Sequence, residues 1–492
     1  MLTTRRAIGA LAIVLGLAGP LPPAHAQQQD SLVGEIIVTA QRREEKVQDI
    51  PLAVTAYSDA QLDKLQVNEA LDVARLVPNM IGHNNTGLGT ANTYSLRGLN
   101  NTESIATFDP PVGSYVDDVY VARQNANNFS LFDVDRIEVL RGPQGTLFGR
   151  NTTGGAVRVI LKKPAEELGG FVEAGYGEYN QRQLRGSVDL PVSDRFLTKF
   201  SAYYRADDGY VDNPFTGEDD LNDEEVWGLR GAFLWNITDR LSWELAVDGG
   251  ANDGANIVNF KQGSSRVANT GLVSSGSPLP AALGPFGATL TGEKLNYNLG
   301  NETTAVNVTS VVDLDVGEAG TVSLIVGRRE MDQEFLLDFF DGNIGVGTLE
   351  GPFLDRGSDG IPPAAYGGFA IANDGQHDQT TIEIKLAGER GRLKYVTGLF
   401  YIDEDNTTDF GDIFDFDLEA IGLGPDNSFI PFVLADRVLE NTTESWAAYF
   451  QGDFALTDTV TLIAGVRYTD EDKDVSFRDN QPCNLAAVPP CG

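Results

Sequence analysis

The only imidazoles in the chain are His25, His83 and His377; the last two fall in polar stretches read as loops, and none has the surrounding spacing of ligands that a zinc site requires. No serine–histidine pair stands out, so no catalytic residue, metal or cofactor is assigned and the chain is not read as an enzyme. Carboxylates crowd into two stretches read as loops. One holds Asp207, Asp208, Asp212, Glu218, Asp219, Asp220, Asp223, Glu224 and Glu225; the other holds Asp403, Glu404, Asp405, Asp409, Asp412, Asp415 and Asp417. They fit solvated loops bridged by calcium among acidic headgroups, or a field that steers a cationic or metal-bearing solute. Two amide-rich stretches carry donors and acceptors for a ligand: His83, Asn84, Asn85 and Thr86, and Asn100, Asn101, Thr102 and Glu103. Read as plain solvated turns, they need no ligand.

The composition narrows the class. The 71 acidic against 36 basic residues exclude the basic footprint of a nucleic-acid binder. Abundant glycine (54), many aromatics and only 3 methionines suit a turn-rich β-protein. Arg5 and Arg6 precede an apolar run over residues 7–18, and Ala24-His25-Ala26 is a small-residue cleavage site, so residues 1–26 read as a secretory signal. Beyond it no uninterrupted apolar run reaches membrane-spanning helical length. A membrane crossing therefore has to be a closed barrel, the other fold that satisfies its own backbone in lipid. Cys483 and Cys491 are the only cysteines and are expected to form a local disulfide after export.

One stretch is far more specific. Across residues 135–160, Ile137, Val139 and Leu140 start a short strand, Gly142, Pro143 and Gly145 break it, and Gly154 and Gly155 release a second strand. A phosphate loop would need Lys-Ser or Lys-Thr after its last glycine, but Arg150 and Asn151 follow Gly149. A dinucleotide turn would lead into a helix, and this one leads into a strand. The run closely resembles the plug of the TonB-dependent outer-membrane receptors. That resemblance covers roughly residues 35–163.

The resemblance gives meaning to the segment Glu35, Ile36, Ile37, Val38, Thr39 and Ala40. Its β-branched run is a ready strand, flanked by the polar residues 41–48 and so expected to be isolated and solvated. It is either the first strand of the plug or, as in the receptors, the TonB box that pairs with the periplasmic C-terminal domain of TonB. The domains implied are residues 1–26 signal, 27–46 periplasmic extension with the box, 47–163 plug, and 164–492 barrel. Within the plug, residues 51–57 read as a strand. Ser58 caps a helix, and residues 94–98 and 112–121 read as further strands. The plug charges Arg97, Arg136, Glu138, Arg141 and Arg150 are expected to pair with the barrel's polar inner wall.

From Gly169 the pattern turns to period two. Trp227, Leu229, Phe233, Trp235 and Ile237 share one face, and Gly228, Arg230, Ala232 and Asn236 the other. About eleven strands of nine to eleven residues are expected, with tight turns alternating with long loops after Ala206, Gly249, Arg329 and Ile402. The fold class is an all-β antiparallel transmembrane barrel, incomplete, with an N-terminal α+β plug. Receptors of this kind close about 22 strands. Half that number, without a last strand ending in an aromatic residue, implies a truncated sequence or a disrupted gene. By resemblance the function is energised import of a scarce large solute across the outer membrane, most often a ferric siderophore, with vitamin B12 or an oligosaccharide as alternatives. The partners are then TonB, outer-membrane lipid and the solute. A passive porin or surface adhesin is the competing class.

Overall fold

Burial along a single strand sets the architecture. Thr381, Ile382, Glu383, Ile384 and Lys385 are 3%, 39%, 4%, 49% and 8% exposed in turn. The charged side chains are the covered ones and the apolar side chains face out. A water-soluble sandwich would bury the isoleucines; this inversion is that of a wall with lipid outside and polar content inside. Trp227, Leu229, Trp235, Trp243, Leu399, Trp446, Phe450 and Tyr468 repeat it as exposed groups along the wall.

The computed structural model describes residues 36–84, 91–101, 108–125, 132–213, 218–254, 300–338, 369–417 and 429–479. The chain divides into residues 1–36 and residues 37–492, and all that follows concerns the second unit.

The unit begins with β1 (Ile37–Val38) and β2 (Glu45–Lys46), a two-stranded hairpin. The plug follows: β3 (Val54–Ser58), α1 (Asp59–Lys64), a 3-10 helix (Ala70–Leu76), β4 (Met80–Asn84), β5 (Asn92–Leu96), β6 (Val112–Val116), β7 (Val119–Val121), β8 (Val134–Arg141) and β9 (Gly155–Leu161). Ser58 starts α1, where its N–H donates to the Gln61 side chain at 3.0 Å. The main plug sheet has the order β3-β8-β9-β6-β7, with β6 and β9 parallel; β4 and β5 form a separate hairpin. Leu62, Val73, Val77, Tyr94, Ile137, Val139, Val157 and Val159 pack between helices and sheet as the plug core. The strand expected over residues 112–121 is broken in two, because Asp117 takes a left-handed conformation (φ 52°) and turns the chain.

The wall contains β10 (Gly169–Tyr176), β11 (Arg182–Ser193), β12 (Phe196–Asp207), β15 (Glu224–Thr238), β16 (Leu241–Gly254), β17 (Gly300–Asp315), β18 (Thr321–Asp338), β19 (Phe369–Arg390), β20 (Leu393–Asp417), β21 (Phe429–Ala455) and β22 (Thr461–Asp479). These form one antiparallel sheet of eleven strands in chain order, with β10 and β22 at its edges. A small hairpin, β13 (Val211–Asn213) with β14 (Glu218–Leu221), stands between β12 and β15.

Among the described residues the expected strand count holds, but the lengths do not. Strands run from 8 residues in β10 to 27 in β21. Asp403, Glu404, Asp405, Asp409, Asp412, Asp415 and Asp417, read as a loop, continue β20, and residues 369–380 extend β19 in the same way. Past the lipid both faces of a strand are wet or pressed on the plug, so the alternation that marks a strand in sequence is lost while the backbone ladder continues.

Gly155 shows how tightly the plug motif is built. Its φ is +149°, and a Cβ there would lie 2.1 Å from the Leu140 carbonyl oxygen on the neighbouring strand. Gly155→Ala should destabilise the plug by about 2 kcal/mol, enough to be read as earlier loss of amide-exchange protection in β8 and β9 while the wall strands keep theirs.

Candidate functional site

Residues 37–40 are not a free arm. β1 folds back on β2 with Ile37 opposite Lys46 and Val38 opposite Glu45. The intervening turn is closed by the Arg42 N–H, which donates to the Thr39 carbonyl at 2.8 Å. Val38, Ala40, Gln41 and Arg42 are buried, and Ile37 stays exposed. The expectation of solvated flanks is therefore corrected. Arg42 pairs with Glu383 of β19, and Arg43 with Asp453 of β21. Both partners lie on the inner wall, hundreds of residues away in sequence, and they compensate the desolvation of the two guanidinium groups. Glu35 lies outside the described residues.

Thr39 is the centre of the attachment. Its N–H donates to Glu138 Oε1 at 2.8 Å, and its hydroxyl donates to the same oxygen at 3.2 Å. Glu138 on β8 stands opposite Arg158 on β9, which donates to Glu138 Oε2 and to Thr39 Oγ1, each at 2.7 Å. Arg136 adds a bond to Glu138 Oε1 at 2.9 Å. The other arm of Arg158 reaches Asp118 at 2.8 Å, and Lys385 of the wall reaches Asp118 at 3.1 Å. One chain of charge-assisted bonds thus runs from residue 39 through the two central plug strands to the wall. The glycine-rich turn takes part through Phe148, whose ring lies 5.5 Å from the guanidinium carbons of both Arg42 and Arg158.

Adjacent acids in the β6–β7 turn are driven apart. Burial pushes the Asp118 carboxyl up, but Lys385, Arg42 and Arg158 outweigh it and hold it well below the usual carboxylate range. Burial raises Asp117 to about 6, only partly offset by Arg230 and by the Leu161 N–H.

Further along the wall, polar groups again do the holding. Gln379 of β19 accepts from the Ala122 N–H at 3.0 Å and donates to the Tyr120 carbonyl at 2.6 Å, completing the backbone of the plug's edge strand β7. Arg123 forks onto Glu404, with Nη2 to Oε2 at 2.9 Å. Asp109 gathers Arg150 at 2.9 Å, Arg123 at 3.2 Å and Lys473 at 3.3 Å, and Arg150 also reaches Glu471 of β22 at 3.2 Å. Asp133 accepts from Ser201 at 2.6 Å and lies 3.3 Å from Lys199.

The residues singled out in the sequence are distributed unevenly over this frame. His83, exposed, and Asn84 end β4, where the same end of the hairpin packs Ala91 against Leu337, far along β18 from its tight turn. Asn100, exposed, and Asn101 follow the Leu96–Leu99 turn at the other end of the hairpin. Asn85, Thr86, Thr102, Glu103, Cys483 and Cys491 lie outside the described residues. Of the plug charges, Arg150 meets the wall as expected, whereas Arg136 and Glu138 pair inside the plug. His377, read as a loop residue, is buried on β19 and faces inward. Arg42, Arg123, Asp118 and their wall partners were not singled out for this role, since no local pattern announces a partner so distant in sequence. Among the described residues no group of His, Cys, Asp and Glu is arranged to hold a metal ion.

Comparison with known proteins agrees with this geometry. Residues 46–156 match the TonB-dependent receptor plug domain. The pesticin receptor of Yersinia pestis is 31% identical over 240 residues, which cover 47% of this chain and 34% of the relative. The ferrioxamine B receptor of Salmonella typhimurium is 32% identical over 149 residues, covering 28% of this chain and 20% of the relative. The chain thus spans about a third or less of the length of these relatives. Among solved structures, the ferric yersiniabactin uptake receptor of Y. pestis superposes with a TM-score of 0.66 at 19% identity, covering 87% of this chain and 57% of that one, a likeness of fold.

Two outcomes are expected. Glu138→Gln removes the charge shared by Arg136, Arg158 and Thr39, so the docked state of residues 37–48 should weaken by about 3 kcal/mol; a spin label at Ile37 then reports a mobile segment in the variant and an ordered one in the parent. Asp117 binds its proton more tightly folded than unfolded, so its contribution is intact below pH 4 and is lost as pH rises through about 6. The plug should lose at most about 3 kcal/mol across that window, and Asp117→Asn should flatten this dependence in pH-resolved amide exchange.

Proposed function

We propose that this chain, an outer-membrane protein with a TonB-dependent receptor plug seated on a polar-lined β-wall, imports a ferric siderophore by energised rearrangement of that plug. The observation that carries the reading is the attachment of residues 37–43. The segment is a strand former whose hairpin leaves one side of β1 without a partner strand, and side-chain bonds tie it to plug and wall together. A periplasmic partner strand that adds to β1 could draw the segment out, and TonB is the partner the reading names. Withdrawing Thr39 strips Glu138 of two hydrogen bonds, and withdrawing Arg42 leaves Glu383 with the Tyr449 hydroxyl, 2.6 Å away. Removal of the segment is thereby felt in the plug centre and at the wall at once.

The plug suits such a device because charged and polar contacts join it to the wall, with apolar packing confined to places such as Ala91 on Leu337. Water entering the interface can replace these bonds one by one, at far lower cost than exposing a hydrophobic core. The siderophore as solute is supported by the names of the relatives, among them a ferrioxamine B receptor and a ferric yersiniabactin uptake receptor. His83 and Asn84 are proposed to face the arriving solute, being carried toward the long-connection end of the wall, which is extracellular in such barrels.

Deleting residues 35–40 from the full-length protein separates this reading from a passive porin or adhesin. Uptake of radioactive iron as its siderophore complex should fall to the background of cells lacking the receptor, while surface binding of the complex is kept. Uptake that survives the deletion would defeat the proposal.

A further inference from the structure

The inner wall holds a row of polar groups that the plug contacts described above leave unused. His377 on β19, Asn406 on β20 and Asn441 on β21 sit at one register, paired strand to strand. Thr443 is the next inward position along β21, opposite Glu404, and Asn373 lies two inward positions from His377 along β19. All five are buried, Asn441 completely. Yet Asn441 has neither its amide nitrogen nor its oxygen satisfied, and Thr443 Oγ1, Asn373 Oδ1 and His377 Nε2 are likewise without a partner.

The chemistry of the unfilled groups can be worked out. Arg123 consumes the charge of Glu404. Glu404 can only accept, so the Asn406 amide turns its nitrogen to it, at 3.1 Å. Asn406 Oδ1 must then accept from the His377 Nδ1–H, 2.6 Å away, which leaves Nε2 as a bare acceptor. The row therefore offers acceptors at Asn373, His377 and Asn441 and donor–acceptor capacity at Asn441 and Thr443, with no uncompensated charge. Two positions from His377 on the same strand, Gln379 by contrast is matched at both ends to the backbone of β7. Buried polar groups without partners are costly, and a purely structural wall would carry apolar side chains there instead.

We infer that this row is a contact site for the solute in transit and that it selects uncharged solutes bearing amides or hydroxyls. The inference rests on the import reading above. An anionic ligand surface only accepts and an ammonium only donates, whereas amides and hydroxyls do both, as the row requires. The chain's net charge of −35 acts in the same direction, against a polyanionic solute.

The test is iron uptake by cells carrying the full-length protein as their sole receptor, with two probes: an uncharged ferric trihydroxamate and a triply anionic ferric tris-catecholate. The neutral complex should be taken up and the trianion should not. Asn441→Leu with Thr443→Val should lower the maximal uptake rate of the neutral complex about tenfold, with surface affinity unchanged and heat stability equal or higher, because unsatisfied buried groups have been removed. Asn441→Gln, which keeps the chemistry, should retain most of the rate; if the double variant does not assemble, His377→Leu is read by the same criterion. Uptake of the trianion, uptake of neither complex, or an assembled variant with the parent's rate overturns the inference. Loss of uptake on deletion of residues 35–40, together with an undiminished rate in the double variant, would leave the import reading standing and remove only this one.

Discussion

Glu138 is a carboxylate with no exposure to water, and the resting arrangement of the protein depends on how its charge is met. Two guanidinium groups and one threonine surround it, from β8, from β9 and from residue 39. An isolated charge at this depth would be untenable, so the three partners are conditions for one another. Because one of them belongs to the segment that precedes the plug, the state of that segment is part of the plug's internal electrostatics. Arg158 spreads the dependence to Asp118 and, through Lys385, to the wall. Segment, plug and wall are in this sense a single hydrogen-bonded object.

The wall makes such an object possible by reversing the usual rule of burial. Its inner face carries Lys199, Arg230, Glu383, Lys385 and Glu404, while isoleucine, leucine and tryptophan point outward. In lipid this is the stable assignment, since the outer face has nothing to hydrogen-bond with and the inner face has a whole domain. Charge on the inner face also explains why the plug has a hydrophobic core of its own between its helices and sheet, and meets the wall with arginine, aspartate and backbone amides. Cohesion within the plug and adhesion to the wall thus rest on different forces and can fail separately.

How much of this was legible in the chain depended on distance along the sequence. The eleven wall strands were readable because residues such as Trp227, Leu229 and Trp235 alternate with polar neighbours, a purely local signal of two-sidedness. The plug turn was readable because its glycines are required by local geometry, as Gly155 demonstrates. The upper part of β20 was misread as a loop, since a strand with water or plug on both faces shows no alternation. The burial of Arg42 was unreadable for a different reason: its partner Glu383 is fixed only by the register of a sheet assembled much later in the chain. His377 was misplaced for the first of these reasons, since it lies where β19 too loses its alternation.

The strand order of the plug has a mechanical corollary. The polypeptide that leaves the β1–β2 hairpin enters the plug at β3, and β3 is the border of the five-stranded sheet, joined to it only through β8. Tension applied upstream therefore arrives first at a seam of five residue pairs, Val54–Leu140 through Ser58–Arg136, before it reaches the parallel β9–β6 interior. Such a hem can be unpicked and resewn without dismantling the cloth, because the β8-β9-β6-β7 ladder holds together without β3.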